Sequence, residues 1–204
     1  MARTNSTHTK KIYLSIIGGR FAEKVDKETT GAISRKNKKD ETVWEIMNDR
    51  TSGVIKNMKI ESNESFGKQL ILSMEDLGEE YLINIPVESR YFDGFCNKIQ
   101  SADLSKEIEL APYSFLPSNS ENKKVGMNIY QGGKKLDYFF TKENQKGKPF
   151  PKDEKLDEDD YKIFKIQERK FFCALIEELN AKLPLYANKE VNTQQENSSD
   201  DLPF

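Results

Sequence analysis

With 204 residues, 32 Lys and Arg against 34 Asp and Glu, and one histidine, the chain suits one domain with additions or one domain and a tail. Its 36% hydrophobic content lies below the ~45–50% usual for globular chains, so part of it is expected to stay solvated. The net charge of −2 excludes a uniformly basic protein, but the charge is segregated. Residues 187–204 carry −3 and residues 153–160 carry −5, which leaves about +6 on the remainder.

Cys96 and Cys173 each sit in an apolar helical context and are expected as free thiols of a reducing compartment. No C-x-x-C or H-E-x-x-H spacing occurs, so neither a metal nor any other cofactor is expected. Neither an apolar leader nor a run near the ~18 residues of a membrane span is present, and the expectation is a soluble, cytoplasmic protein without membrane contact. Enzyme signatures are missing too: there is no G-x-x-x-x-G-K-[ST] and no G-x-S-x-G, so no catalytic residue is assigned and the protein is not read as an enzyme.

Residues 1–9 are polar. Residues 12–20 read as a strand, with Gly18-Gly19 permitting a bulge or a close backbone approach. Residues 23–41 read as a charged loop holding Arg35, Lys36, Lys38 and Lys39. Four strands follow, over 43–47, 52–61, 68–75 and 80–85. Val54, Met58 and Ile60 alternate with Ile55, Asn57, Lys59 and Glu61, and Leu70, Leu72 and Met74 share a face, as do Tyr81, Ile83 and Ile85. Asn48-Asp49, Ser62-Asn63-Glu64 and Asp76-Leu77-Gly78 supply the turns.

Ser89 is placed to cap a short helix whose Phe92, Phe95, Cys96 and Ile99 fall on one face. A strand over 107–111 comes next. Gln131-Gly132-Gly133 then signals a hairpin between 126–130 and 134–141, with Leu136, Tyr138 and Phe140 on one face of the second arm. A helix over about 158–182 is predicted, with Asp157 as its cap and Glu158, Asp159 and Asp160 in its first turn. Its apolar stripe runs Phe164, Phe171, Phe172, Leu175, Leu179, Leu183, and Pro184 is expected to stop it. The class is therefore mainly β. A three-strand meander, a short helix after its third strand and further strands give the order of an OB-fold-like barrel, here with an extra hairpin and a long C-terminal helix. This domain would span 1–186, and 187–204, rich in Asn, Gln, Glu and Ser, reads as a disordered acidic tail.

The tail ends Asp200-Asp201-Leu202-Pro203-Phe204. That tip resembles the C-terminus of bacterial and phage single-stranded DNA-binding proteins, whose acidic tails end in Asp residues, a small aliphatic residue, Pro and Phe. The body is more similar to diverged phage members than to the shorter bacterial form. The resemblance implies sequence-nonspecific binding of single-stranded DNA in phage replication, recombination or repair, in the host cytoplasm. It also implies that Asp200, Asp201, Leu202, Pro203 and Phe204 recruit replication or recombination proteins, and a homo-oligomer is compatible with it.

Single-strand binding needs aromatic platforms beside a cationic groove. Candidate platforms are Trp44, Tyr113, Phe115, Tyr130, Tyr138 and Phe140, with Trp44 foremost because it follows the basic loop and opens the barrel. Candidate phosphate contacts are Arg20, Arg35, Lys36, Lys38, Lys39, Lys56, Lys59, Lys134 and Lys135. Two other readings share the pattern: an OB-fold module for RNA or protein, and a structural virion protein.

Overall fold

A computed structural model describes residues 10–37, 39–152 and 155–196, with side chains up to Leu183. The β-rich part consists of β1 (Lys10–Ile17), β2 (Arg20–Lys24), β3 (Ile33–Lys36), β4 (Thr42–Asn48), β5 (Thr51–Asn63), β6 (Gly67–Asp76), β7 (Glu79–Pro86), β8 (Ile108–Phe115), β9 (Lys124–Gln131) and β10 (Lys134–Lys135). Helix α1 (Arg90–Ile99) follows β7, and α2 (Glu158–Glu196) follows all the strands. Among the described residues these strands make one sheet in the order β10-β9-β8-β5-β6-β7-β1-β2-β4-β3.

The meander β5–β6–β7 is its centre. Leu70 faces Ile85, Leu72 faces Ile83 and Met74 faces Tyr81 across the β6–β7 ladder, so the three alternating sets line one face. All but Tyr81 are fully buried. The register of β5 shifts between Ile55 and Asn57. This bulge puts Ile55 inside with Met58, whereas strict alternation predicts opposite faces. Beyond the bulge β5 stays on β6, while Thr51–Gly53 pair with Leu110–Ile108 of β8.

The sheet is not closed, in contrast to the barrel expected. The edge of β7 is taken by β1 in parallel, Lys10–Leu14 against Glu79–Ile83, and β2, β4 and β3 continue outward from there. Gly18-Gly19 is the turn of the β1–β2 hairpin, so the predicted 12–20 strand is really two. That turn reaches β8, where the Tyr91 hydroxyl is hydrogen-bonded to the Gly19 backbone and the Ser114 side chain. The expected basic loop at 23–41 contains an edge strand, β3, which pairs Ile33–Lys36 with Glu45–Thr42.

Ser89 caps α1, its hydroxyl accepting from the Phe92 amide at 3.2 Å. Phe92, Phe95, Cys96 and Ile99 are fully buried, as their spacing predicts. Asp157 accepts from the Asp160 amide at 2.8 Å at the start of α2. Phe172, Leu175, Ile176, Leu179 and Leu183 carry this helix onto the core. It runs on through Pro184 to Glu196, into the segment from Ala187 that the composition predicts to be unstructured. The Asp200–Phe204 tip and Lys38 lie outside the described residues.

Charge also holds α2 in place. Lys148 pairs with Glu168 at 3.0 Å, both side chains 7% exposed. Lys165 bonds Glu168 too and reaches Asp93 on α1 at 2.8 Å. Removing one member of such a buried group strands the others without solvation. Glu168→Leu is therefore expected to lower the unfolding free energy in urea by ~3–5 kcal/mol. Glu61→Ala, at the exposed Lys59–Glu61 pair, should change it by less than about 1 kcal/mol.

Candidate nucleic-acid interface

One face of β8–β9 gathers the aromatics and unpaired cations that the sequence leaves scattered. Tyr113 and Phe115 alternate on β8, their rings 5.9 Å apart. Their partners across the ladder are Gly126 and Lys124. The absence of a side chain at Gly126 makes room for the Tyr113 ring, since a Cβ there would lie 2.5 Å from its hydroxyl. Tyr113 is hydrogen-bonded to Tyr138, and burial together with that neighbour raises the Tyr113 pKa. Tyr138 and Phe115 remain open, 53% and 52% exposed.

Tyr138 belongs to the arm after β10. That arm is a strand only at Lys134–Lys135, shorter than the predicted 134–141. The Leu136 amide donates to Ile129 O at 2.8 Å and the Phe139 amide donates to Asn97 O at 2.8 Å, so the arm crosses from the β9 edge to α1. Phe139 and Phe140 then turn inward, which ends the pairing. Carbonyls two residues apart point the same way along a strand, so beyond Ile129 the next on this edge is that of Met127. It accepts from Lys98 Nζ at 2.7 Å. Pro112, opposite Met127, lies past the Ile108–Leu110 stretch that pairs with β5, where its missing N–H breaks no ladder.

Lys98 is 3% exposed, and Nζ also donates to Asn128 Oδ1 at 3.0 Å and lies 4.9 Å from the centre of the Tyr138 ring. Burial, reinforced by Lys135 and partly opposed by Asp137, pushes its pKa down to about 8. Gly94 sets this arrangement. A Cβ at Gly94 would sit 2.6 Å from the Met127 amide, so α1 lies directly against β9 and Lys98, one turn on, meets the strand's backbone. Two residues beyond Asn128 on the same face, Tyr130 stacks under Arg50 at 4.9 Å, and Arg50 is paired with Glu109 at 2.7 Å.

Cations around this face are available. Among the described residues Lys123, Lys124, Lys134 and Lys135 have no carboxylate within ion-pair distance. Of the other predicted phosphate contacts, Arg20 pairs with Asp49 at 2.7 Å, Lys56 with Glu75 at 3.4 Å and Lys59 with Glu61 at 2.8 Å. Arg35 grips Glu45 at 2.6 and 2.7 Å, and Lys36 donates to Asp40 O at 2.9 Å. Lys39 is exposed on the turn between β3 and β4.

Of the predicted platforms, Tyr113, Phe115, Tyr130 and Tyr138 come together here. Trp44 is half-buried on β4, near the opposite end of the strand order, with Lys27 6.0 Å from its ring. Phe140 is a core residue, edge-on to Phe171 at 5.3 Å, with no ring face free for stacking. Lys98, Asn128, Arg50, Lys123 and Lys124 were not anticipated. Lys98 flanks the apolar stripe of α1 rather than lying on it, so periodicity carries no sign of its role.

Comparison with known protein families, with characterised proteins and with solved structures finds no match. Among the described residues no group of three or more His, Cys, Asp or Glu side chains converges to hold a metal ion, and no helix is long and apolar enough to cross a membrane.

Truncation distinguishes the open ring from the packed one. Phe140→Ala is expected to destabilise the protein by ~3–5 kcal/mol. Phe115→Ala, at a half-exposed position, should change the unfolding free energy by no more than ~0.5 kcal/mol. Paired denaturation curves check both.

Proposed function

We propose that this protein binds single-stranded DNA without sequence preference, through the β8–β9 face, as a coating protein of a phage-like replication or recombination system. The single observation that carries the reading is the coincidence there of open aromatic rings, Phe115 and Tyr138 with Tyr113 beside them, and lysines free of carboxylate partners. Every base offers a π-face for stacking, and every phosphate a charge for lysine, so such a surface tolerates any sequence. Open rings suit separated bases rather than duplex, whose bases are already stacked on one another.

The fold order supports the same reading in its finer form. The meander β5–β6–β7, then α1, then β8 returning antiparallel to β5 and β9 beside it, follows an OB-type order. On this reading β1–β4 and β10 are additions to that body, and the whole works by binding alone, without catalysis or cofactor.

Fluorescence anisotropy with labelled oligo(dT), oligo(rU) and duplex tests it. Oligo(dT) is expected to bind best, with log Kd rising linearly with log salt. Phe115→Ala and Tyr138→Ala should each weaken it by ~1–3 kcal/mol, the worth of one stacked base. Trp44→Ala should weaken it less. Equal affinity for duplex, or affinity flat in salt, would overturn the reading.

The Asp200–Phe204 tip supports a second part, recruitment of replication or recombination proteins. The apolar Leu202-Pro203-Phe204 run fits an apolar pocket, and Asp200 and Asp201 suit cations at its edge. Phe204→Ala is expected to leave oligo(dT) affinity unchanged and to abolish capture of partners from host extract on DNA-loaded protein. Identical partners on both forms would show the tip to be a solvated end.

A further inference from the structure

Lys98 is an expensive residue for the fold to keep. It is a buried amine with no carboxylate within ion-pair distance among the described residues, held by a carbonyl, an amide and an aromatic ring. Two of the three N–H bonds of its ammonium are used by Met127 O and Asn128 Oδ1. The third lies on the Tyr138 side, and Tyr138 is its roof. The backbone on either side of Tyr138 is fixed to β9 and to α1 by the Leu136 and Phe139 amides. Its ring is half in solvent and joined to Tyr113 by one hydrogen bond. The roof can therefore swing by side-chain rotation alone.

We propose that Lys98 is a proton-linked phosphate contact: a phosphodiester of the bound strand enters beneath Tyr138, between Lys98 and Lys135, and Lys98 takes up a proton from solvent as it binds. This rests on the reading of β8–β9 as the strand-binding face. The charged groups that face Lys98 are Lys135 from β10 and Asp137 from the arm, with the phenols of Tyr138 and Tyr113 behind. Asp93, on Lys98's own helix, is occupied by Lys165 at 2.8 Å.

The sign follows from the free protein. Without DNA, burial and Lys135 hold Lys98 at a pKa of about 8, so above that pH it is mostly a neutral amine. A phosphate beside it favours the ammonium and raises the pKa toward the ordinary lysine value of ~10.4. The complex then holds more protons than the free protein from about pH 8 to about pH 10. Affinity is full below that window and declines as pH rises through it.

The test is the Kd for a labelled thymidine oligomer at constant ionic strength from about pH 7 to about pH 9.5, where one-proton linkage predicts a roughly ten- to thirty-fold rise. Lys98→Gln should bind more weakly at the low end and show no such rise. Tyr138→Ala takes away the roof and hydrates the amine and Lys135→Gln removes its cationic neighbour, so each should move the onset to higher pH. Should a thermal melt show Lys98→Gln unfolded, those two variants decide, and an unmoved onset overturns the proposal. A flat wild-type profile with salt-sensitive binding, or a rise that persists in Lys98→Gln, overturns it while leaving DNA binding intact. Absence of oligomer binding at every pH overturns both.

Discussion

The close approach of α1 to β9 is the constraint on which the rest depends. Gly94 has no Cβ to hold the helix off the Met127 backbone, and the neighbouring turns bury Phe92, Phe95, Cys96 and Ile99 completely. Any side chain at that position would lift the helix from the sheet and loosen all four. With the helix seated, Lys98 reaches a sheet-edge carbonyl, Asn97 O holds the arm after β10, and Tyr138 is brought over the amine. Core packing and the candidate binding face are thus one structure.

A second layer depends on the same helix. Asp93, one residue before Gly94, accepts from Lys165, and the Lys165–Glu168–Lys148 group fastens α2 across the other side. Phe92 meets Phe172 edge-on at 6.2 Å, and Phe140 closes the gap between arm and α2. Charge burial of this kind gains little in net stability but penalises any displaced arrangement, because a moved partner leaves a desolvated ion. It fixes where α2 sits more than how tightly. The arm is held between the two helices, which explains why it abandons the sheet after Lys135 despite a sequence that alternates well enough for a longer strand.

Much of the fold was legible in the sequence. The β4 to β7 strands, α1 with its Ser89 cap and the start of α2 at Asp157 follow from alternation, helical spacing and cap chemistry, which are local. The misreadings share a cause. The bulge in β5 and the departure of residues 136–140 from the sheet are each decided by what lies across the element, and sequence spacing does not record that. For the site, Tyr113, Phe115, Tyr130 and Tyr138 were named as aromatic residues of suitable type. Phe140 alternates with Tyr138 in sequence yet is buried, because the arm turns between them.

By itself the sequence determined the alternating strands, the capped helices, the segregation of acid into two segments and the Asp200–Phe204 tip, all properties of neighbours along the chain. Only the tertiary structure decided that β1 takes the edge of β7 and leaves the sheet open. It alone decided which lysines are neutralised and which stand free, since ion pairs join residues far apart in sequence. Lys98 is the clearest case. Nothing near it in the chain distinguishes it from other lysines, and its low pKa comes from a strand, an arm and a neighbouring cation that folding brings around it.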